Sequence, residues 1–329
     1  GIVLVVDSKG LLLGTITDGD IRRAVLANVN LQSPIKELLR QKDVRYAKPV
    51  TALVESTATE RLRLMQEKDI RHLPLLDSDG KVVDLITRDD WLLEDDLPLS
   101  GVIMAGGFGT RLRPLTDDLP KPMLPMGDRQ LMQRTVEKFQ AAGIRNINVT
   151  THYMPEKIME YFGDGAEFGV DINYVHEDQP LGTAGALGLI QPPAEPLLVI
   201  NGDILTEVDF RTMLSHHQKH QAMITVAVRQ YAFQVPYGVV QCEGAHVRQL
   251  QEKPSYNFLV NAGIYLLEPT VYQYIPSNQR FDMTDLIQAV LDEQGTVISF
   301  PIVEYWLDIG QHADYEQAQK DLESGKVSS

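Results

Sequence analysis

Residues 102–127 read VIMAGGFGTRLRPLTDDLPKPMLPMG. A short apolar run ends in Ala105-Gly106-Gly107-Phe108-Gly109-Thr110-Arg111, and Lys121 follows ten residues after Arg111. Closely spaced glycines let the backbone turn sharply and aim successive N–H groups at an anion. Arg111 offers a planar fork to phosphate oxygens, and Lys121 a point charge on a loop stiffened by Pro120 and Pro122. The stretch is not a Walker A loop, because no Gly-Lys-Ser/Thr follows, and it lacks the third glycine of a dinucleotide fingerprint. Further along, Asp203 follows the apolar run LLVI and Asp308 follows EYWL, so each stands at the end of a strand. Two carboxylates that converge could share a divalent cation. Taken singly, Asp203 suits a turn and Asp308 a helix N-terminus. For Arg111 the plain alternative is a surface ion pair, and for Lys121 a solvated loop. Glu252-Lys253-Pro254 after HVRQLQ pairs a hydrogen-bond-accepting carboxylate with a cation, or else makes an exposed ion pair.

These residues need elements to hold them. From residue 102 the sequence alternates GVIMA (strand), DRQLMQRTVEKFQAAGI (helix), RNINVTTHY (strand), MPEKIMEYFGDG (helix), VDINYVHED (strand) and EPLLVINGD (strand). Such alternation predicts an α/β unit, a Rossmann-like, mixed but mainly parallel sheet with helices on both faces. Right-handed crossovers then bring the strands' carboxyl ends to one rim, where ligands bind. The segment HHQKH spaces His216 and His220 one helical turn apart, but no third metal ligand accompanies them. His216, His217 and His220 are expected on a solvated helix face. Cys242 is expected near a strand end, with no catalytic pattern around it.

The first part of the chain repeats itself. VVDSKGLLLGTITDGDI (5–21) overlies LLDSDGKVVDLITRDDW (75–91) at an offset of 70. Each copy reads as strand, Asp-Ser-x-Gly turn, strand, then a helix opened by Thr or Asp. The intervening TATERLRLMQEKDIRHLPLL (57–76) reads as an N-cap, an amphipathic helix and a strand. On Gly14-Thr15-Ile16-Thr17-Asp18-Gly19-Asp20-Ile21 and Asp84-Leu85-Ile86-Thr87-Arg88-Asp89-Asp90, this region resembles a tandem pair of cystathionine-β-synthase-type (CBS) domains, a smaller α+β unit. The resemblance implies a regulatory adenine nucleotide held by Thr17 and Asp20, and by Thr87 and Asp90 in the second copy. Asp84 stands where that motif has glycine, and the first copy lacks its opening strand and helix. Thr17 and Asp20 also suit a helix cap and its partner. The expected layout is a CBS pair over 1–94, a linker over 95–101 and a catalytic domain over 102–322.

Composition narrows the function classes. With 45 Asp+Glu against 30 Lys+Arg the net charge is −15, which disfavours nucleic acid or an anionic membrane as a main partner. A single cysteine precludes an internal disulfide, so a reducing compartment, the cytoplasm, is the default. No run approaches the roughly 20 apolar residues that span a bilayer. The opening GIVLVVDSKG lacks a basic signal-peptide start and begins inside what reads as a strand, so the natural beginning is expected upstream.

The compound motif Gly-Gly-x-Gly-Thr110-Arg111-Leu112-x-Pro114-Leu115-Thr116 with Pro120-Lys121-Pro122 is similar to that of sugar-1-phosphate nucleotidyltransferases. The likeness continues in Pro180-Leu181-Gly182-Thr183-Ala184-Gly185, Asn201-Gly202-Asp203, Tyr237-Gly238-Val239-Val240, Glu252-Lys253-Pro254, Asn261-Ala262-Gly263-Ile264-Tyr265 and Trp306-Leu307-Asp308-Ile309-Gly310. It covers about residues 102–320 and implies the nucleotide-diphospho-sugar transferase fold. It also implies that a sugar 1-phosphate attacks a nucleoside triphosphate and expels pyrophosphate. By this resemblance Arg111, Lys121 and Asp203 are catalytic, and Asp203 and Asp308 hold Mg²⁺. Ala105, Gly106, Gly107, Gly109, Thr110, Gln179, Pro180, Gly182, Thr183 and Gly202 line the nucleotide, and Gly238, Glu252, Lys253 and Asn261 the sugar phosphate. PLGTAGAL, YGVV and NAGIY resemble guanylyltransferases most, so GTP is the expected donor, with UTP or dTTP as the alternative. A CBS pair ahead of such a domain resembles bacterial enzymes that make a GDP-hexosamine for nonulosonic-acid glycans. The implied acceptor is a hexosamine 1-phosphate such as glucosamine 1-phosphate. A homo-oligomer, formed through the CBS pair, is also expected. A reading from another class is a catalytically weak nucleotide sensor.

Overall fold

The computed structural model of the chain describes residues 1–29, 33–42, 48–87 and 96–327. The chain divides into two compact units, residues 1–95 and 96–329.

In the N-terminal unit, β1 (Ile2–Val6) and β2 (Leu12–Thr17) form an antiparallel hairpin, followed by α1 (Asp18–Leu26) and α2 (Ile35–Gln41). Then come β3 (Ala52–Leu53), α3 (Ala58–Glu67), β4 (His72–Leu76) and β5 (Val82–Thr87), with β3 parallel and β5 antiparallel to β4. The internal repeat is built from matching turns. The Asp7 carboxylate accepts the N–H groups of Lys9 and Leu11 at 2.8 and 2.9 Å. Asp77 accepts those of Asp79 and Lys81 at 3.0 and 2.9 Å. Gly10 and Gly80 close these turns at φ 84° and 82°, a region that favours glycine. Leu11 bridges Lys81, its own counterpart in the second copy. Thr17 caps α1: its hydroxyl accepts the Asp20 N–H at 3.3 Å while the Asp20 carboxylate accepts the Thr17 N–H at 2.9 Å. The same box, Thr57 with Glu60, starts α3. Asp90 lies outside the described residues.

The C-terminal unit is built on seven strands: β6 (Ser100–Met104), β9 (Asn146–Thr151), β10 (Asp171–His176), β11 (Leu197–Asn201), β13 (Ile224–Gln234), β16 (Ser255–Leu267) and β17 (Val297–Pro301). Their order is β10-β9-β6-β11-β16-β13-β17, and β16 alone runs against the rest. Short pairs flank this sheet: β7 (Pro125–Met126) with β8 (Arg129–Gln130), β12 (Ile204–Thr206) with β18 (Trp306–Asp308), and β14 (Val239–Glu243) with β15 (His246–Gln251). The helices are α4 (Leu131–Ala141), α5 (Pro155–Phe162), α6 (Gly182–Gly185), α7 (Phe210–Lys219), α8 (Met283–Asp292) and α9 (His312–Glu323).

Successive strand residues face opposite sides, and both sides are buried. Ile103, Leu198, Ile200, Ile264 and Leu266 pack with α4, α5 and α7. Val102, Leu197, Val199, Tyr265 and Leu267 pack with α6 and α8. The unit is thus the mixed, mainly parallel sheet covered on both faces that the alternating pattern predicts.

The structure departs from the sequence reading at both borders. Residues 95–101 do not form a free linker over their described length. The Leu97 N–H donates to Gly143, Leu99 joins the core below α4, and β6 starts at Ser100. At the far end the packing runs past residue 322, since Val327 is buried against Leu112, Leu124 and Ala318.

One side chain overturns its expected setting. His217 is fully buried rather than solvated, because it follows Phe210, Met213 and Leu214 on the inner stripe of α7. Its Nε2 meets the Glu268 carboxylate at 3.0 Å, and its Nδ1 meets the Thr225 hydroxyl at 2.7 Å. A carboxylate only accepts, so Nε2 carries the proton and Nδ1 accepts from Thr225. Burial pushes the imidazole below its ordinary value, against the pull of Glu268. The folded state then binds fewer protons at this site than the unfolded chain. Stability is full above the unfolded histidine value and is lost as pH falls below it. Denaturant unfolding between pH 7.5 and 5.5 is expected to show this decline, and His217→Gln is expected to flatten it. A stability that rises on acidification would mean that His217 is a charged partner of Glu268.

Candidate active site

The rim is assembled by chain connections at the carboxyl ends of β6 and β11. After β6 the chain enters the Ala105–Thr110 loop, and after β11 it makes the Asn201-Gly202-Asp203 turn into β12. Close backbone packing joins the two. The Gly202 N–H donates to the Met104 carbonyl at 2.9 Å, and a Cβ on Gly202 would stand 2.7 Å from that oxygen. Gly106 has the same restriction, since a Cβ there would meet the Glu177 Oε1 at 2.7 Å. Gly109 sits at φ 62°, its carbonyl accepting the hydroxyl of the fully buried Thr116 at 2.8 Å. Gly107 faces open space.

Asp203 is the centre of this rim. Its Oδ2 takes the Lys121 ammonium at 2.6 Å. Its Oδ1 is buried and has no hydrogen-bond partner among the described residues. Register places Asp308 alongside, because β12 pairs with β18 through Ile204 opposite Asp308 and the Ile309 N–H donates to the Asp203 carbonyl. Burial, and then the negative charge of Asp203, push the Asp308 carboxyl above its ordinary value, while Lys121 and Arg111 pull it back. Arg111 lies in the short turn Thr110–Leu112, and its guanidinium approaches Gly310 beside Asp308 and Asp314. Arg111, Lys121, Asp203 and Asp308 therefore share one electrostatic neighbourhood, as the sequence predicts.

Two carboxylates, one with a buried orphan oxygen, suit a hard cation. Mg²⁺ is commonly held by one or two carboxylates together with substrate phosphates. Among the described residues no group of three or more His, Cys, Asp and Glu is placed to hold a metal by itself. His216 and His220 both meet backbone carbonyls. His216 Nε2 meets the Ser299 carbonyl at 3.2 Å, and His220 meets the His216 carbonyl.

The expected base-side residues form the loop after β10. Gly182 adopts φ 78° against Phe281 and Asp282, and the Thr183 hydroxyl accepts the Met283 N–H at 2.8 Å. Thr183 thereby ties the loop to the start of α8. Gln179 and Pro180 are exposed. Sequence reasoning missed Glu177, a buried acid whose Oε2 accepts the Leu181 N–H at 3.0 Å and whose Oε1 faces Gly106. It links the Ala105–Thr110 loop to the Pro180–Gly185 loop. Its signal was present, since it follows a strand end just as Asp203 does.

The expected sugar-side residues fall into two places. Asn261 accepts the Gly263 N–H at 3.0 Å, and Gly263 at φ 69° lies directly on Asn201 beside the Asp203 turn. Gly238 packs on Glu252, with a Cβ there 3.2 Å from the carboxylate, and Lys253 takes φ 45°. These three belong to the β14–β15 side, and neither Glu252 nor Lys253 hydrogen-bonds to Lys121, Asp203 or Asp308.

A sheet rim that sets a lysine and an arginine among facing carboxylates fits a class of α/β proteins that handle polyphosphates. Residues 100–325 match the nucleotidyl transferase family model, and the chain belongs to that family; residues 37–95 match the CBS domain model. The chain is 33% identical over 228 residues to a mannose-1-phosphate guanyltransferase of Kluyveromyces lactis, covering 66% of this chain and 63% of that one. It is 32% identical over 226 residues to the mannose-1-phosphate guanylyltransferase catalytic subunit beta of Danio rerio, covering 66% and 62%. The chain thus spans slightly under two thirds of the length of these relatives. Among solved structures, a putative glucose-1-phosphate thymidylyltransferase of Bacillus anthracis superposes with a TM-score of 0.54 at 27% identity, over 68% of this chain and 94% of that one. HddC from Yersinia pseudotuberculosis gives the same TM-score at 24% identity, over 68% and 99%, and speaks to the fold alone.

The carboxylate pair has a cost that a neutral isostere removes. A raised Asp308 carboxyl means that the folded state binds the proton more tightly than the unfolded chain, so stability falls as pH rises through the carboxylate range. Without metal at pH 7, Asp308→Asn is expected to raise the thermal midpoint above that of the parent protein. The gain is expected to vanish below pH 4. A lower midpoint for Asp308→Asn at pH 7 would show that the charge itself supports the fold.

Proposed function

We propose that the C-terminal unit transfers a nucleotidyl group from a nucleoside triphosphate, GTP foremost, to a sugar 1-phosphate. A phosphate oxygen of the sugar phosphate bonds to the α-phosphorus, the bond from that phosphorus to the bridging oxygen breaks, and pyrophosphate leaves. The observation that carries this reading is the divided carboxylate of Asp203, with one oxygen on Lys121 and the other buried without a partner beside Asp308. Family membership supports the reaction class, and the names of the guanyltransferase relatives support GTP.

The roles follow from charge. Two polyanions must meet, so the site must neutralise and align them. Arg111 and the N–H groups of the Ala105–Thr110 loop take the triphosphate, and Lys121 takes the charge that builds on it during transfer. Asp203 and Asp308 would hold Mg²⁺, which supplies bridging charge to the phosphates when bound. Glu177 keeps the base-side loop seated through Leu181. Asn261, Gly238, Glu252 and Lys253 serve the sugar phosphate. A hexosamine 1-phosphate such as glucosamine 1-phosphate is the acceptor favoured, for surface-glycan synthesis in a bacterial cytoplasm. Mannose 1-phosphate is its main competitor.

Within the N-terminal unit a buried cation favours a second, regulatory role. The Lys42 ammonium is enclosed, bonding the Thr15 carbonyl at 2.8 Å and Asp20 at 3.0 Å. Burial pushes the Asp20 carboxyl up, but hydrogen bonds from Thr17 and Lys42 outweigh it and hold the group below its ordinary value. A phosphate of an adenine nucleotide would meet the Thr17 hydroxyl at the start of α1 in exchange for its bond to Asp20. Calorimetric titration with AMP and ATP is expected to show binding that Thr17→Ala weakens; no heat with either nucleotide would remove this role.

Incubation with each nucleoside triphosphate, Mg²⁺ and a panel of sugar 1-phosphates, followed by pyrophosphate detection, tests the main proposal. GTP with a hexosamine or mannose 1-phosphate is expected to be the preferred pair. Lys121→Ala and Asp203→Asn are each expected to lower turnover by about 10²–10³, the usual effect of removing one group that stabilises developing charge. Preference for UTP or dTTP would remove the guanylyl assignment and keep the class. No pyrophosphate with any pair would remove the class and favour a nucleotide sensor.

A further inference from the structure

The four residues gathered at the rim come from four separate segments, and one small core lies beneath all of them. Leu112 follows Arg111, Leu124 stands three residues after Lys121, Leu205 two after Asp203, and Ile309 follows Asp308. These four apolar side chains pack together with Ala318 of α9. Apolar contact is non-directional, so it sets the depth of each segment more than its orientation. Orientation has to come from hydrogen bonds, and the Lys121 segment is short of them. Pro120, Pro122 and Pro125 supply no N–H. Among the described residues its backbone bonds are the turn at Lys121–Met123, the Leu131 N–H on the Leu124 carbonyl and the two-residue ladder of β7 with β8.

Side chains hold the rest. Arg134 of α4 donates to the Met126 carbonyl at 3.1 and 2.8 Å. The Pro125 carbonyl is held from α9, taking the Tyr315 hydroxyl at 2.8 Å and Gln319 Nε2 at 2.9 Å. Gln319 Nε2 also donates to the Tyr315 hydroxyl at 3.1 Å, and Gln319 Oε1 accepts the Gly127 N–H at 3.2 Å. Both amide hydrogens and the phenolic hydrogen are thereby used, and the carbonyl's two lone pairs are filled. Spacing explains why one helix can do this. His312, Tyr315, Gln319 and Leu322 stand at i, i+3, i+7 and i+10 of α9, so they line one face. His312 Nε2 donates to the Arg113 carbonyl at 2.8 Å, since a carbonyl only accepts. Just ahead of α9, a Cβ on Gly310 would stand 3.6 Å from Asp308 Oδ1 and 3.9 Å from the Arg111 guanidinium. The helix is therefore tied at once to the segments that carry Arg111, Lys121 and Asp308.

We propose that Tyr315 and Gln319 are positioning residues for Lys121: by holding the Pro125 carbonyl they keep the segment in the orientation that lays the Lys121 ammonium on Asp203. That ammonium reaches Asp203 at 2.6 Å, with 13% of the lysine side chain exposed. Among the described residues neither Tyr315 nor Gln319 hydrogen-bonds to Lys121, Asp203 or Asp308, so their effect passes through the backbone between Pro125 and Lys121. A segment that pivots at Pro125 carries the lysine stem with it. A displacement of about 1 Å at a reacting centre costs on the order of 10²-fold in turnover.

Acetylation of the full folded chain with acetic anhydride, read residue by residue by mass spectrometry, tests the proposal. Lys138, ion-paired to Glu207 at 3.0 Å in the same unit, serves as the internal reference. Relative to Lys138, Lys121 is expected to react about fivefold faster in Gln319→Met than in the parent, the effect that one lost hydrogen bond has on an equilibrium. Tyr315→Phe keeps Gln319 on the carbonyl and is expected to give a smaller rise. Arg134 stays on the neighbouring carbonyl, so both variants are expected to keep the parent's circular dichroism. Should Gln319→Met unfold, Gln319→Glu, which keeps the acceptor for Gly127 and loses both donors, gives the answer. Turnover is expected to fall by about 10- to 100-fold in Gln319→Met, with KM for the nucleoside triphosphate unchanged. It is not expected to fall further when Gln319→Met is added to Lys121→Ala. The effect on turnover rests on the role proposed above for Lys121, whereas the labelling does not. An inactive parent would strike that role and leave the labelling to decide. A Lys121-to-Lys138 ratio unchanged in both Gln319 variants overturns the proposal. So does a fall in turnover as large in Lys121→Ala as in the parent, which would make Gln319 a support of the fold alone.

Discussion

Like charges held side by side set the terms for the rest of the C-terminal unit. Asp203 and Asp308 come from segments about a hundred residues apart and meet because β12 and β18 pair in a fixed register. Burial first, and then the repulsion between two carboxylates in one place, raise the Asp308 carboxyl. Lys121 answers this on Asp203 Oδ2, and Arg111 lies within electrostatic reach of Asp308. The balance stays incomplete because Asp203 Oδ1 has no partner among the described residues. Such a site favours whatever brings positive charge along with further negative groups to share it. A cation that arrives with phosphates meets that description, whereas a lone cation or a lone anion meets half of it.

Holding that arrangement requires backbones to approach more closely than side chains permit. Gly202 lies on the Met104 carbonyl, Gly263 on the Asn201 amide and Gly106 against Glu177, each leaving no space for a methyl group. Only Gly263 of these three also takes a positive φ. The glycines near the rim thus answer two distinct demands, steric clearance and backbone conformation. The first loop does not close on itself alone. It is fixed from the side by Glu177, from below by Thr116 and from β11 by Gly202. Loop N–H groups held this way would need little rearrangement if an anion met them, which is the condition under which fixed dipoles are most effective.

How much of this was legible in the sequence depends on how local each signal is. Strand–helix alternation, the phosphate loop and the carboxylates at strand ends are local, and the structure places Arg111, Lys121, Asp203 and Asp308 together as their motifs suggest. The seventy-residue repeat is also local within each copy, which is why the Asp7 and Asp77 turns match bond for bond. His217 was illegible for the opposite reason. HHQKH looks solvated by composition, and only the two-turn relation of His217 to Phe210 and the distant Thr225 and Glu268 put it inside. Glu177 was overlooked because its role depends on which loop packs against Gly106. The strand start at Ser100 was hidden by the polar, proline-containing run before it, whereas Leu99 is buried by helix α4 from thirty residues away. Thr183 was expected along the nucleotide, and the sequence did not show that its hydroxyl also accepts the N–H at the start of α8.

The bulge at Val228 and Asn261 joins two regions with different requirements. On one side β16 is a central strand, buried on both faces, with Gly263 seated on Asn201 at the rim. On the other side the same strand becomes half of an exposed ribbon that leads to Glu252, Lys253 and Gly238. The residues assigned to the sugar phosphate are therefore distributed across a change of environment. Asn261 inherits its position from the core. Gly238, Glu252 and Lys253 inherit theirs from an arm whose two-stranded geometry has little burial of its own, and isolated two-stranded ribbons are marginal in water.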